Sequence, residues 1–172
     1  MLQFTTAVTA YLMPDDAVAA ESALSTIIQA PAEKWIIMYE ASLPSFYSGL
    51  TASVAAGHPV HLFADASLAK RVSESAKLQA LKAAGVDIAI GTSPLSNQII
   101  CHSKVVVVAP TGAPGTSQCW EGSLNFSQAA FAEPNTVLVF SCDQYQQAVA
   151  AQWQSLATFA RANQPYFQLP GT

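Results

Sequence analysis

The sequence predicts an α/β fold, a mixed, largely parallel β-sheet flanked by helices. Three observations lead there. Short apolar, β-branched runs alternate with amphipathic stretches through the first half of the chain. That rhythm breaks after Gly91 into two strand-like pieces joined by a turn-rich loop. A chain of 172 residues is long enough to bury a core without disulfide or metal staples. Residues 1–172 read as one domain, with no internal repeat and no linker.

Taken in order, "FTTAVTAYLM" alternates loosely and predicts a first strand ending at Pro14. Asp15 or Asp16 is placed to cap a helix whose apolar stripe is Leu24, Ile27 and Ile28, stopped by Pro31. "KWIIMYEA" is a nearly continuous apolar run of the kind covered on both faces, and "SLPSFYSGLTASVAAG" follows it as a helix closed by Gly57. "PVHLFAD" repeats the strand pattern with Asp65 just past its end. Ser67 to Ala84 then predicts one long amphipathic helix ended by Gly85, and "VDIAI" a fourth strand. "NQIICHSKVVVVAP" and "QCWEGSLNF" predict a hairpin with "TGAPGTS" at its tip, and "NTVLVFS" a further strand. Asp143 is placed to cap a final helix from about Gln144 to Ala162, with Tyr145, Val149, Trp153, Leu156 and Phe159 as its apolar positions.

Charged residues are 10% of the chain against a usual figure of roughly 25%, and 51% are hydrophobic. Part of the surface is therefore neutral or covered, and a subunit interface is a natural cover. The net charge of −4 argues against a cationic coat for nucleic acid. Four of the seven basic residues, Lys70, Arg71, Lys77 and Lys82, nevertheless share one segment with a single acid, Glu74. The plainer reading is a solvated helix face; the other is a phosphate-tracking stripe, with Lys70 and Arg71 as candidate substrate contacts. Cys101, Cys119 and Cys142 have no metal-ligand spacing and read as buried free thiols. With no cationic leader and no apolar run near the roughly 18 residues of a membrane span, the expectation is a soluble, cytoplasmic protein.

The chemistry-bearing stretch is "CHSKVVVV". Alternation along a strand points His102 and Lys104 to one side and Ser103 to the other. The adjacent predicted strand ends in "GSLNFS", which supplies Gly122, Ser123 and Asn125. An imidazole, an ammonium, a hydroxyl and a carboxamide at one sheet end suit a phosphate ester: a nitrogen nucleophile, a fixed positive charge and neutral donors for the nonbridging oxygens. One histidine without carboxylate or thiolate neighbours at ligand spacing is a poor metal site, so neither a metal nor another cofactor is expected. Taken alone, His102 is as readily a satisfied polar group.

The two pieces together, "HSKVVVV" and "GSLNFS", resemble the phospholipase D superfamily signature, in which HxK, four mostly apolar residues and an aspartate precede GSxN and a Ser or Thr. The resemblance runs from about Thr5 to Phe159, and the length is similar to that of the family's small one-motif nucleases. It implies a homodimer with the active site at the dyad and a metal-independent phosphodiesterase. His102 of one subunit would form a phosphohistidine while His102 of the other protonates the leaving oxygen, and Lys104, Asn125 and Ser123 would hold the phosphoryl oxygens. Nucleic acid is the favoured substrate and phospholipid the alternative; a catalytically silent binding or dimerisation module is the reading of a different class. The chain departs from the signature at Ala109, where the family has aspartate, followed by Pro110. The family also has an acid past GSxN that orients the histidine. Glu133 is the candidate, with Thr136 at the ungapped position and Asp65 as a weaker alternative from another strand end.

The remaining polar and aromatic residues have plainer roles. His58 and His61 flank a strand start, and Trp35 and Trp120 read as core or interface aromatics. Tyr39 and Glu40 sit at a predicted strand end, where α/β sheets place ligands, and are expected to line the cleft.

Overall fold

The computed structural model of the chain describes residues 7–94, 100–164 and 169. Seven strands form one mixed sheet in the order β1-β7-β6-β5-β2-β3-β4. They are β1 (Thr9–Leu12), β2 (Lys34–Met38), β3 (Val60–Asp65), β4 (Asp87–Gly91), β5 (Lys104–Val108), β6 (Gln118–Gly122) and β7 (Thr136–Phe140). Around them lie α1 (Ala17–Gln29), α2 (Pro44–Ala55), α3 (Ala66–Ala69), α4 (Val72–Ala83), α5 (Gln128–Ala132) and α6 (Asp143–Asn163). Among these, no helix is long and apolar enough to cross a membrane.

The β-α rhythm delivers its parallel block, β2–β3–β4. β5 joins β2 antiparallel and opens the meander β5–β6–β7. The first strand does not join the parallel block; β1 pairs antiparallel with β7 at the opposite edge. The expected strand segments at Phe4–Thr6 and Asn97–Ile99 lie outside the described residues.

Strand alternation sorts the apolar residues into two cores. Ile36, Met38, Leu62, Val106 and Val108 face one side, under Leu24 and Ile28 of α1, Phe46 and Leu50 of α2, and Leu78 and Leu81 of α4. Ile37, Phe63, Val105, Val107 and Cys119 face the other, under Val149, Trp153 and Leu156 of α6. Each such buried aliphatic or aromatic side chain contributes about 1.5–3 kcal/mol through the surface it removes from water. α6 does not reach the β1 edge, where Leu12 and Leu138 stay exposed.

Three local expectations change. The predicted helix from Ser67 is two helices, broken at Lys70 and Arg71, with Arg71 extended at the N-cap of α4. One continuous helix would set Leu68 and Leu81 about 140° apart at 3.6 residues per turn; the break lets both be buried. Asp16 stands at the N-cap of α1, but its carboxylate accepts the Leu12 N–H instead (2.8 Å). Asp143 likewise accepts from Gly115 (2.5 Å) and Ser117 (3.3 Å) across the hairpin loop, and Cys142 Sγ caps α6 through Tyr145 N–H. The short helix α5, capped by Ser127, lacks the length for a periodic signal.

Lys34 shares the α1/α2 face with Ile36 and is fully buried. Its ammonium donates to Ala30 O (2.6 Å), Ala32 O (2.7 Å) and Ser53 Oγ (2.8 Å), tying the end of α1 to α2. Burial pushes it down to about 8. Below that pH both folded and unfolded chains hold the proton; between it and the unfolded value of about 10.4 only the unfolded chain does, so this residue adds stability as pH rises. Urea unfolding of the wild type and Lys34→Met at pH 7.5 and 9.5 is expected to show their difference moving in the wild type's favour by about 2 kcal/mol; a pH-independent difference contradicts this account.

Candidate active site

The site lies at the sheet edge where β2, β3 and β6 end and β5 begins, the edge at which open α/β sheets bind ligands. Its frame is main-chain pairing. Tyr39 N–H donates to Ser103 O (2.9 Å) and Phe126 N–H to Glu40 O (3.0 Å), so the exit of β2 is clamped between the approach to β5 and the turn after β6. Asp65, fully buried at the end of β3, fixes the approach from the other side. Its Oδ1 accepts the Ser67 N–H (2.8 Å) and hydroxyl (2.6 Å), and its Oδ2 accepts the Cys101 N–H (2.5 Å). Asp65 therefore holds the residue before His102 and does not touch the imidazole.

His102 is exposed and leans on Tyr39, ring centres 4.5 Å apart at 57°. Lys104 folds back toward it on the same side, as the alternation predicts. Its Nζ lies 2.8 Å from each imidazole nitrogen and donates to His102 O (2.9 Å). It also stands 5.1 Å from the Tyr39 ring centre, within cation–π range. Lys104 is 4% exposed, and that burial pulls its ammonium below the usual lysine value against the opposing charge of Glu40.

Glu40 is the link to the second motif half. Its carboxylate pairs with Arg71 and accepts from Asn125 Nδ2 (3.4 Å). Asn125 Oδ1 is buried with no hydrogen-bond partner. The helix break at Lys70 and Arg71 is what brings Arg71 here, so half of the predicted substrate-contact pair is joined to the motif. Gly122 is required by close approach: a Cβ there would lie 2.2 Å from Thr136 O, so any side chain would push β7 away from the turn that carries Asn125.

The other candidates are placed differently. The Ser123 hydroxyl donates to Asn135 Oδ1 (2.9 Å) and accepts from Thr136 N–H (3.0 Å), anchoring the start of β7. Glu133 follows α5 with an exposed side chain, and its carbonyl accepts from Asn135 Nδ2 (3.4 Å). Among the described residues no carboxylate bonds the His102 ring; Tyr39 and Lys104 are its contacts. Ala109 lies at the far end of β5, bonded through its N–H to Glu33 O (2.9 Å) and about 17 Å along the strand from Lys104 at roughly 3.3 Å per residue. The departure from the signature therefore sits away from the imidazole. His61, at the start of β3, is also at that far end, between Glu33 (2.8 Å) and Asp87 (3.2 Å) and stacked on Trp35. Trp120 is core.

All three cysteines are free. Burial raises the Cys101 thiol and pushes Cys119 up to about 12, so neither is a thiolate nucleophile. Among the described residues no three His, Cys, Asp or Glu side chains gather as a metal site. A cavity of about 500 Å³ opens beside His102, lined in part by Cys101, Ser103, Gln152, Leu156 and Phe159.

No protein-family model and no curated protein matches the sequence. Solved structures do. The phospholipase D family member Nuc from Salmonella typhimurium aligns at a TM-score of 0.69 and 20% identity, over 88% of this chain and 93% of that one. NucT from Helicobacter pylori aligns at 0.76 and 15%, over 88% and 95%. Phosphatidylserine synthase from Haemophilus influenzae aligns at 0.59 and 12%, over 90% of this chain but 39% of its own. The chain thus has the phospholipase D-like fold, in the compact form of the two small proteins.

Asp65→Asn turns an amide N–H toward the Cys101 N–H and removes that acceptor. It is expected to destabilise the protein by about 1–3 kcal/mol and to speed amide hydrogen exchange at Cys101 beyond the change in global stability. Unaltered exchange at Cys101 would show that Asp65 does not hold the approach to β5.

Proposed function

We propose that the chain is a metal-independent phosphodiesterase of the phospholipase D type, working through a phosphohistidine at His102 and acting as a homodimer, with DNA or RNA as substrate. One observation carries this: an exposed imidazole faced by a buried lysine ammonium, with Asn125 and Arg71 delivered to the same strand end through Glu40. The sequence resemblance and the shared fold support it.

In this scheme a His102 nitrogen attacks phosphorus, the bond from phosphorus to the leaving oxygen breaks, and that oxygen takes a proton. Water then cleaves the phosphorus–nitrogen bond and restores the imidazole. An arriving phosphoryl oxygen is a better acceptor for Lys104 than a ring nitrogen, so substrate binding frees the nucleophile and leaves the ammonium on the developing charge. Nucleophile and acid stand on opposite sides of an in-line displacement. His102 of the partner subunit supplies the acid, since each chain brings one such histidine. Ser123 serves by fixing the turn from which Asn125 reaches the phosphoryl group, and Glu133 is the acid to test for orienting an imidazole across the dimer. Nucleic acid is favoured over lipid because the match spans nearly the whole of two compact chains and under half of the phosphatidylserine synthase.

Incubation with chelator against DNA, RNA and a phosphatidyl lipid is expected to cleave nucleic acid. Lipid cleavage alone reverses the substrate order, and no cleavage of any diester refutes the enzyme. Quenching wild-type turnover in alkaline detergent, where a phosphorus–nitrogen bond survives, is expected to trap a phosphoprotein that acid then discharges and that His102→Ala lacks, with activity lower by about 10²-fold or more. Full activity in a species that sediments as a monomer would eliminate the two-histidine step. Ala109→Asp is expected to change turnover by less than about threefold, as for a substitution outside the site.

A further inference from the structure

Glu40 links Arg71 and Asn125 at this site but takes no part in the phosphoryl transfer itself. A carboxylate beside a phosphate site repels the substrate, so its presence needs a reason. Its placement is specific: the backbone on either side is clamped to Ser103 and Phe126, its side chain is three-quarters buried, and its two oxygens face Arg71 and Asn125 Nδ2. Those two donors, with Lys104, are the groups a phosphate would use. Glu40 therefore lies among them without being the nucleophile, and it cannot leave without giving up both contacts.

The charge balance follows. Lys104 and Arg71 each bring a positive charge to the phosphate donors, and Glu40, in contact with Arg71 and Asn125, offsets part of it at that point; the buried Asp65 lies farther back, on the Cys101 N–H. The neighbouring Glu74–Lys77 pair (3.0 Å) adds no net charge. A phosphodiester carries one negative charge; a phosphomonoester, or inorganic phosphate above neutrality, carries close to two. Repulsion from the Glu40 carboxylate scales with the anion's charge, so it falls about twice as heavily on a monoester as on a diester.

We propose that Glu40 is the specificity-determining residue of this site, its carboxylate between Arg71 and Asn125 acting as a charge filter that admits singly charged phosphodiesters and rejects doubly charged phosphomonoesters. This rests on the reading of the site as a phosphodiester site and adds what selects the substrate's charge. It also implies that a product ending in a phosphomonoester is expelled, because the second charge appears only once the ester bond is broken.

The test measures anion binding directly. Dimethyl phosphate and inorganic phosphate are titrated at pH 8 into the wild type, Glu40→Gln and Glu40→Asp, and their dissociation constants are compared as a ratio, which a partly unfolded sample leaves unchanged. Glutamine keeps an acceptor for Arg71 and removes the charge. The expected result is that the wild type favours dimethyl phosphate, that Glu40→Gln shifts the ratio toward inorganic phosphate by about tenfold or more, and that Glu40→Asp stays near the wild type. An unchanged ratio in Glu40→Gln overturns the filter, and so does a shift of the same size in Glu40→Asp. If neither anion binds any of the three proteins, the filter and the phosphodiester site fall together. If the ratio shifts as expected while no diester is hydrolysed, the filter stands and the catalytic reading fails alone.

Discussion

The structure turns on the clamp at the exit of β2. Two main-chain hydrogen bonds, Tyr39 N–H to Ser103 O and Phe126 N–H to Glu40 O, tie together three segments far apart in sequence. Ser42 and Leu43 add two more N–H donors to Phe126 O (2.8 and 3.0 Å). Without this seam β5 and β6 would still pair, but the residues beyond their ends would have no fixed relation. With it, His102, Tyr39, Glu40 and Asn125 are held by backbone geometry, and their side chains need only short reaches. Main-chain bonds are well suited to this because their geometry is independent of side-chain rotamers.

The two buried lysines show how one face of one sheet serves two purposes. Lys34 and Lys104 pair with Val108 and Met38 at opposite ends of the β2–β5 ladder. Lys34 is satisfied by three fixed oxygens and holds α1 against α2. Lys104 meets an imidazole, one carbonyl and an aromatic ring, partners that the proposed scheme exchanges for a phosphoryl oxygen. Similar burial thus goes with unlike partners, and it is the partners that suit Lys34 to a structural role and Lys104 to the proposed chemical one.

Much of this was legible in the sequence. Apolar runs marked all seven strands near their observed places in the chain, and spacing put His102 and Lys104 on one side. The edge position of β1 was not legible, because a short alternating strand carries no record of which edge it joins. Nor was the helix break at Arg71: both halves have good helix formers, and what separates them is the need to bury Leu68 and Leu81 together. Glu40 was visible only as a strand-end residue. Its role depends on Arg71 arriving from the break and on Asn125 arriving from the β6 turn, and no local pattern reports either.

The histidines at the two ends of the sheet separate structure from chemistry. Each nitrogen of His61 faces a carboxylate, its ring is stacked on Trp35 and edge-on to Trp153, and Asp87 is in turn held by Arg161 (2.5 Å). No nitrogen there is left to attack anything. His102 has one aromatic contact and one ammonium, and no carboxylate among the described residues. A nucleophile must exchange its partner for a substrate, and of the two histidines the sparsely held His102 fits the proposed role. The missing aspartate at Ala109 belongs to the far end with His61, where Glu33 and Asp87 already supply acids, so the departure from the signature lies away from the imidazole of the proposed site.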